Sequence, residues 1–241
     1  MLLGLAILPA AWLAGVGDLL GVGDVVSWIA GDDDPPVSEG EDPPPTASDP
    51  AAPTAPMASR GDLDLHLPTS RPVLVGFHEA STAQALDLRP VGRMVENENT
   101  TRFSPPPTDD TGHDYLVLSS RGRAHGATTA IDVLMRPGDP VRSPVDGTVT
   151  EVREYVLYGR HHDVRIEIAP DDDPGLRVVL IHVDEVEVEE GAHVRAGRST
   201  LARTARPFPF SSQIDRYTEP DRWPHVHLEV KAADGDDAER P

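Results

Sequence analysis

The sequence predicts an all-β fold, an antiparallel sandwich or barrel. Three observations point there. From Asp62 onward short runs alternate apolar and polar residues with period two, as Val164, Ile166 and Ile168 do in DVRIEIA and Val226, Leu228 and Val230 do in HVHLEV. Turn formers separate these runs, at Asp146-Gly147, Pro174-Gly175, Gly191 and Gly197. No long stretch of 3.6-residue apolar period follows residue 60, and the helical candidate is a short segment around Thr82–Leu88. Short strands with frequent turns are the signature of antiparallel β structure.

Taken in order, the chain divides into five parts. Residues 2–17 are an uncharged apolar run, shorter than the ~20 residues a membrane-spanning helix needs. The run continues to Ala30 across Asp18 and Asp24, each of which would cost about 2.5–3.5 kcal/mol near a bilayer centre. Residues 1–30 are therefore read as a signal or membrane-anchor segment, with a buried amphipathic helix as the alternative. Residues 31–59 hold eight Pro and seven acidic residues with no basic one, the composition of an extended, self-repelling, disordered linker. An apolar start, a Pro/Asp-rich tether and then a folded domain form the layout of an extracytoplasmic protein, secreted or membrane-anchored.

Residues 60–119 contain the strand-like runs LHLPTSRPVLVGFHEA and ALDLRPVGRMV and read as an N-terminal extension packed on the core. Residues 120–232 carry the regular alternation and read as the β core, followed by an acidic disordered tail over 233–241. Within the core there is an internal echo. Gly138-Asp139-Pro140-Val141 precedes Asp146-Gly147, and Gly191-Ala192-His193-Val194 precedes Ala196-Gly197. Both read as glycine, turn, Val, turn, glycine, strand, which suits two corners built from paired hairpins.

Charge and composition exclude several functions. The net charge is −20, and residues 1–59 supply nine acidic groups and no basic one. No basic stripe is available for phosphates, so no nucleic-acid partner is expected. The chain has no Cys, which removes disulfides, Cys zinc sites and thiol nucleophiles. Any metal must be held by His, Asp or Glu. Lys231 is the only lysine, which leaves Schiff-base chemistry almost no candidate. A lipoyl- or biotinyl-type carrier needs a Lys at a hairpin tip, and Lys231 is expected beyond the last strand rather than in such a turn. Oligomeric state has no sequence signal.

Of the ten His, six (His66, His78, His113, His161, His162 and His193) read as solvated or hydrogen-bonded. His78-Glu79 does not begin an H-E-x-x-H zinc motif, because position 82 is Thr. Four others fall in suggestive places. His225 and His227 sit two apart in a strand, so both rings share one face with Glu229 while Val226, Leu228 and Val230 take the other. Such a pair suits one metal ligand plus one proton-handling partner, or is a surface pair. His182 ends an apolar strand. His125 and Asp132 flank GATTAI, where Asp132 is a metal ligand or a turn cap.

The order of these segments resembles the lysostaphin-type zinc endopeptidases. The matching pieces are Ile131-Asp132-Val133, Gly138 to Val149, Val179-Leu180-Ile181-His182, Val188 to Gly197, and Pro224-His225-Val226-His227-Leu228-Glu229-Val230. They cover roughly residues 120–231. The resemblance implies a duplicated hybrid-motif β fold, a barrel-sandwich hybrid. It also implies a bound Zn2+ and hydrolysis of peptide cross-links in bacterial cell-wall peptidoglycan. Asp132 and His227 would be zinc ligands, and His182 and His225 would orient and deprotonate the attacking water or stabilise the oxyanion. The chain departs from the pattern at one point. The first metal His should stand four residues before Asp132, where this chain has Thr128. Either a loop delivers His125 as the third ligand, or only two ligands remain and the protein is a metal-free binding or regulatory module for a wall hydrolase or envelope complex.

Overall fold

The computed structural model describes residues 53–104 and 112–233, all within the unit Ala47–Pro241. The apolar segment 1–30, most of the tether and the end of the acidic tail lie outside the described residues. No helix among the described residues is long and apolar enough to cross a membrane.

Strands β1 (Pro56–Arg60) and β2 (Leu63–His66) make a hairpin, followed by β3 (Leu74–His78), β4 (Arg89–Pro90), β5 (Arg93–Asn97) and β6 (Asp114–Val117). Next come β7 (Ala130–Leu134), β8 (Val141–Arg142) and the long hairpin of β9 (Gly147–Leu157) and β10 (His161–Pro170). The chain continues through β11 (Leu176–Ile181), β12 (Val183–Val186), β13 (His193–Val194) and β14 (Thr200–Ala205). A 3-10 turn at Ile214–Tyr217 precedes the last strand, β15 (His225–Ala232). The described fold is all-β, as the alternation and turns predict. The segment Thr82–Leu88, the helical candidate, is not a helix. Its amides are taken by other parts of the chain: Leu86 N–H donates to Val230 O (2.9 Å) and Leu88 N–H to Thr128 O (3.0 Å).

Nine strands form the main sheet, in the order β13-β9-β10-β11-β15-β7-β3-β6-β5. Its pairs are antiparallel except β3 with β6 and β5 with β6. Two three-stranded sheets, β2-β1-β4 and β12-β14-β8, flank it. Period-two alternation sorts the side chains. Val226, Leu228 and Val230 of β15 lie beside Leu180 and Val178 of β11 and Val133 and Ile131 of β7 on the core face. The small sheets add Met57, Leu65, Val141 and Leu201 to the same core. Each such side chain contributes about 1.5–3 kcal/mol by leaving water. The opposite face of the same strands carries Asp132, His225, His227 and Glu229, so one sheet separates the core from the polar cluster.

Residues 60–119 do more than lie against the core. β3 inserts beside β7, and β6 and β5 continue the main sheet beyond it. The strand β1 starts at Pro56, inside the stretch read as linker. Met57 and Ala58 give the reason, since both are fully buried.

The two echoed corners exchange partners. Val141–Arg142, after the first glycine, pairs with Thr200–Ala202, and His193–Val194, after the second, pairs with Gly147–Thr148. Val141 and Val194 are both buried at these crossings. Gly147 sits where β9 begins, and a Cβ added there would lie 2.3 Å from the Ala169 carbonyl oxygen. Backbone cannot give way as a side-chain tip does. Gly147→Ala is therefore expected to destabilise the domain by about 1–3 kcal/mol, read as a lower chemical-denaturation midpoint.

Candidate metal and catalytic site

The register of three neighbouring strands builds the cluster. His227 of β15 stands directly opposite Asp132 of β7. On the other side of β7, Asp132 stands opposite Gly76 of β3, and His78 follows two residues later on the same face. His78, Asp132 and His227 bring their ligand atoms within 4.8 Å of one another. Gly76 leaves room for Ile214 and Leu118, whose side chains a Cβ there would meet at 3.0 and 3.3 Å.

Each of the three is oriented by a second contact. His227 Nδ1 lies 2.8 Å from Asp132 Oδ1, and its Nε2 lies 3.0 Å from Glu229 Oε1. His78 Nδ1 donates to the Glu79 carbonyl at 3.0 Å, because a carbonyl only accepts. That tautomer leaves a lone pair on His78 Nε2. This nitrogen is buried and has no hydrogen-bond partner, yet stands 3.1 Å from Asp132 Oδ1. A lone pair facing a carboxylate oxygen in a buried site is unfavourable unless a positive charge lies between them. The donor set fits a divalent metal: two imidazole nitrogens and a carboxylate, with Glu229 and the Glu79 carbonyl fixing the rings from outside.

The electrostatics show the same need for positive charge beside Asp132, met here by protons on the imidazoles. Burial alone would raise the Asp132 pKa, but His78, His225 and His227 outweigh it and hold the carboxyl well below its usual range. Burial works to lower the His227 pKa, and the hydrogen bonds to Asp132 and Glu229 overcome it, pushing it up to about 9. Without a metal the cluster thus holds a proton, the other way to neutralise these carboxylates. Burial, aided by His182 and His227, takes His225 down to about 4 against the pull of Asp132 and Asp215, so its ring is neutral at pH 7.

His182 and His225 meet beside the cluster, with ring centroids 5.2 Å apart. His182 follows β11 with φ +70°, a left-handed backbone that turns its side chain out of the strand. Asp163 of β10, fully buried, holds that geometry. Its Oδ1 accepts from the His182 backbone N–H (3.1 Å), and its Oδ2 accepts from His182 Nδ1 (2.8 Å) and from the Tyr155 hydroxyl. The proton on Nδ1 leaves Nε2 as the free acceptor of the ring. Tyr155, raised by burial and by Asp163, stays protonated and donates.

His78, Asp132, His182, His225 and His227 line one cavity of about 330 Å³. Tyr158 and Phe210, in edge-to-face contact at 5.4 Å, form one side of it. Phe210 belongs to the long segment before β15, so that segment supplies a wall of the groove. Arg121, Arg123 and Gln213 stand among the other lining residues.

Asp132, His182, His225 and His227 come together at this cavity, and His125 does not. His125 neither lines it nor belongs to the cluster. Its surroundings explain why. The Glu79 carboxylate binds the backbone N–H groups of Arg121 (3.0 Å) and Arg123 (2.9 Å), and Arg102 bonds the carbonyls of Arg123 and His125. These bonds fix the loop's backbone so that Arg121 and Arg123 line the cavity while His125 stays outside it. His78, read from the sequence as solvated or hydrogen-bonded, is instead the histidine that joins Asp132 and His227 in the cluster. Its local sequence contains no ligand motif; the available signal is that His78 ends an alternating run, LVGFH, with Val75 and Phe77 on the other face.

No family model and no curated protein matches the chain. Solved structures do match it. They include lysostaphin in solution, 19% identical over 45% of this chain and 38% of that chain, with a TM-score of 0.32. A zinc containing peptidase from Vibrio cholerae is 24% identical over 43% of this chain and 26% of that chain, with a TM-score of 0.30. The catalytic domain of the antimicrobial peptidase lysostaphin from Staphylococcus simulans is 20% identical over 48% of this chain and 76% of that one, with a TM-score of 0.34. The matched part of the chain thus spans less than two-fifths of the length of the first two.

Proposed function

We propose that this chain is a zinc-dependent peptidase acting on peptide cross-links of bacterial cell-wall peptidoglycan. The metal would be held by His78 Nε2, Asp132 and His227 Nδ1. The observation that carries the reading is the convergence of the His78, Asp132 and His227 ligand atoms to within 4.8 Å of one another at the cavity. The order of motifs in residues 120–231 adds the substrate class. On this reading the chain works outside the cytoplasm, with residues 2–30 as leader or membrane anchor and residues 31–59 as tether.

A zinc ion at these ligands would lower the pKa of a water and polarise the scissile carbonyl. The chain's own residues handle the protons. His182 presents Nε2 as an acceptor, kept in that tautomer by Asp163. His225 is neutral, and its ring meets that of His182 at the cavity, so between them the two rings accept a proton and donate to developing negative charge. Tyr158 and Phe210 shelter one side of the cavity from water.

The test is zinc content together with release of peptide fragments from purified peptidoglycan. About one zinc per chain and release that a chelator stops are expected. Substoichiometric zinc with no chelator-sensitive release would overturn the proposal. His225→Ala is expected to reduce turnover about 10²–10⁴-fold while zinc content is unchanged. Asp163→Asn should also reduce turnover with zinc retained, because it offers an N–H where His182 Nδ1–H needs an acceptor. Loss of metal in either variant would contradict the division between ligands and proton-handling residues.

A further inference from the structure

We infer that Arg121 and Arg123 form a carboxylate-binding subsite, so that the peptide taken at this site carries a free carboxylate next to the bond presented to His182 and His225. The inference rests on the peptidase reading for the identity of the ligand as a peptide, and on the following geometry for the subsite itself.

Both arginines line the cavity together with Asp132, His182 and His225. Other arginines of this acidic chain are matched to a carboxylate, among them Arg102 to Glu79 at 2.6 Å, Arg206 to Asp184 at 2.7 Å and Arg216 to Glu98. Arg121 and Arg123 are not. Arg121 Nε donates to the neutral amide oxygen of Gln213, and Arg123 Nη1 donates to the Glu79 backbone carbonyl at 2.6 Å. Neither is in an ion pair with a carboxylate among the described residues. Each keeps most of its donors, in the planar fork that matches a carboxylate.

The pair is also pre-organised. Glu79 could have neutralised these side chains, but its carboxylate is spent on their backbone amides, on Ser120 and on Arg102. Gly122, at φ +73°, makes the turn that sends both amides to Glu79. The loop is thus fixed through its backbone while the two charges are left for the groove. Arg121 and Arg123 are the two guanidinium groups among the lining residues of this cavity, so they offer a carboxylate its paired, charged donors. That carboxylate can be the peptide's terminal carboxylate or that of an acidic side chain.

Binding of three blocked dipeptides to the zinc-loaded full chain separates these sources: N-acetyl-alanyl-alanine, its C-terminal amide, and N-acetyl-aspartyl-alaninamide. Titration followed by NMR or calorimetry reads affinity without turnover. At least one of the two carboxylate-bearing probes should bind about tenfold more tightly than the amide. Which one does so assigns the carboxylate to the terminus or the side chain. The preference should fall to within about twofold in the Arg121→Gln/Arg123→Gln double variant, and persist in His78→Ala. Arg121→Gln alone should lose part of it, and serves if the double variant is unfolded by circular dichroism. A preference that survives loss of both arginines, or that vanishes with His78→Ala, would put the carboxylate on the metal and overturn the inference. Equal binding of all three probes would overturn it too. If the chain binds no zinc and hydrolyses nothing, the peptidase reading fails, yet an arginine-dependent carboxylate preference would still stand.

Discussion

Exchange of His78 for Ala is expected to weaken zinc binding at least about a hundredfold, since a tetrahedral zinc site gains on the order of 10–16 kcal/mol from about four ligands and each carries roughly 3 kcal/mol. His125→Ala should leave affinity unchanged. The contrast is sharp because the two histidines stand in different relations to Asp132. His78 Nε2 is 3.1 Å from its Oδ1 and has no other partner. His125 lies in a loop whose carbonyls are tied to Arg102, and its ring is not in the cluster. Competition with a chelating dye measures both variants. Zinc lost from His125→Ala and kept by His78→Ala would return the third ligand to the loop.

Glu79 is expected to be the site of the largest loss of stability. Its carboxylate is fully buried and accepts from Arg102, Ser120 and the Arg121 and Arg123 amides, with Asn99 at 3.4 Å. Burial would raise its pKa, but these donors outweigh it and bring it down to about 2. Glu79→Gln sets an amide N–H₂ against groups that also donate. Breaking such a buried charge network costs about 3–5 kcal/mol, which for a domain of this size lowers the thermal midpoint by roughly 6–20 °C. The midpoint should be compared with and without chelator, since His78 is the adjacent residue and metal loss would add to the shift. A change below about 1 kcal/mol would mean that the loop does not depend on this anchor.

The fold class and half of the site were legible for the same reason. Strand alternation is local, so Val226, Leu228 and Val230 announce the core face and thereby set His225, His227 and Glu229 on the other. The pairing of His227 with Asp132 across β15 and β7 is nonlocal, and it was readable through the order of motifs. His78 was not. It approaches Asp132 from β3, 54 positions earlier in the chain, and a ligand delivered by strand insertion leaves no spacing to read. Nor does the run PMASR look like a strand, with its opening Pro and central Ala; burial of Met57 and Ala58 under the core decides it.

The insertion of β3 has a cost for anyone who would trim this protein. A fragment beginning at residue 120 would keep the motif-bearing core yet strip the partner from one side of β7. The N–H and C=O groups that β7 shares with β3 would then form a bare edge along AIDVL, a short, apolar, nearly uncharged template. Edges of that kind recruit other chains. Such a fragment is expected to oligomerise or precipitate, so the smallest well-behaved unit must reach back to the residues that carry β1 and β3.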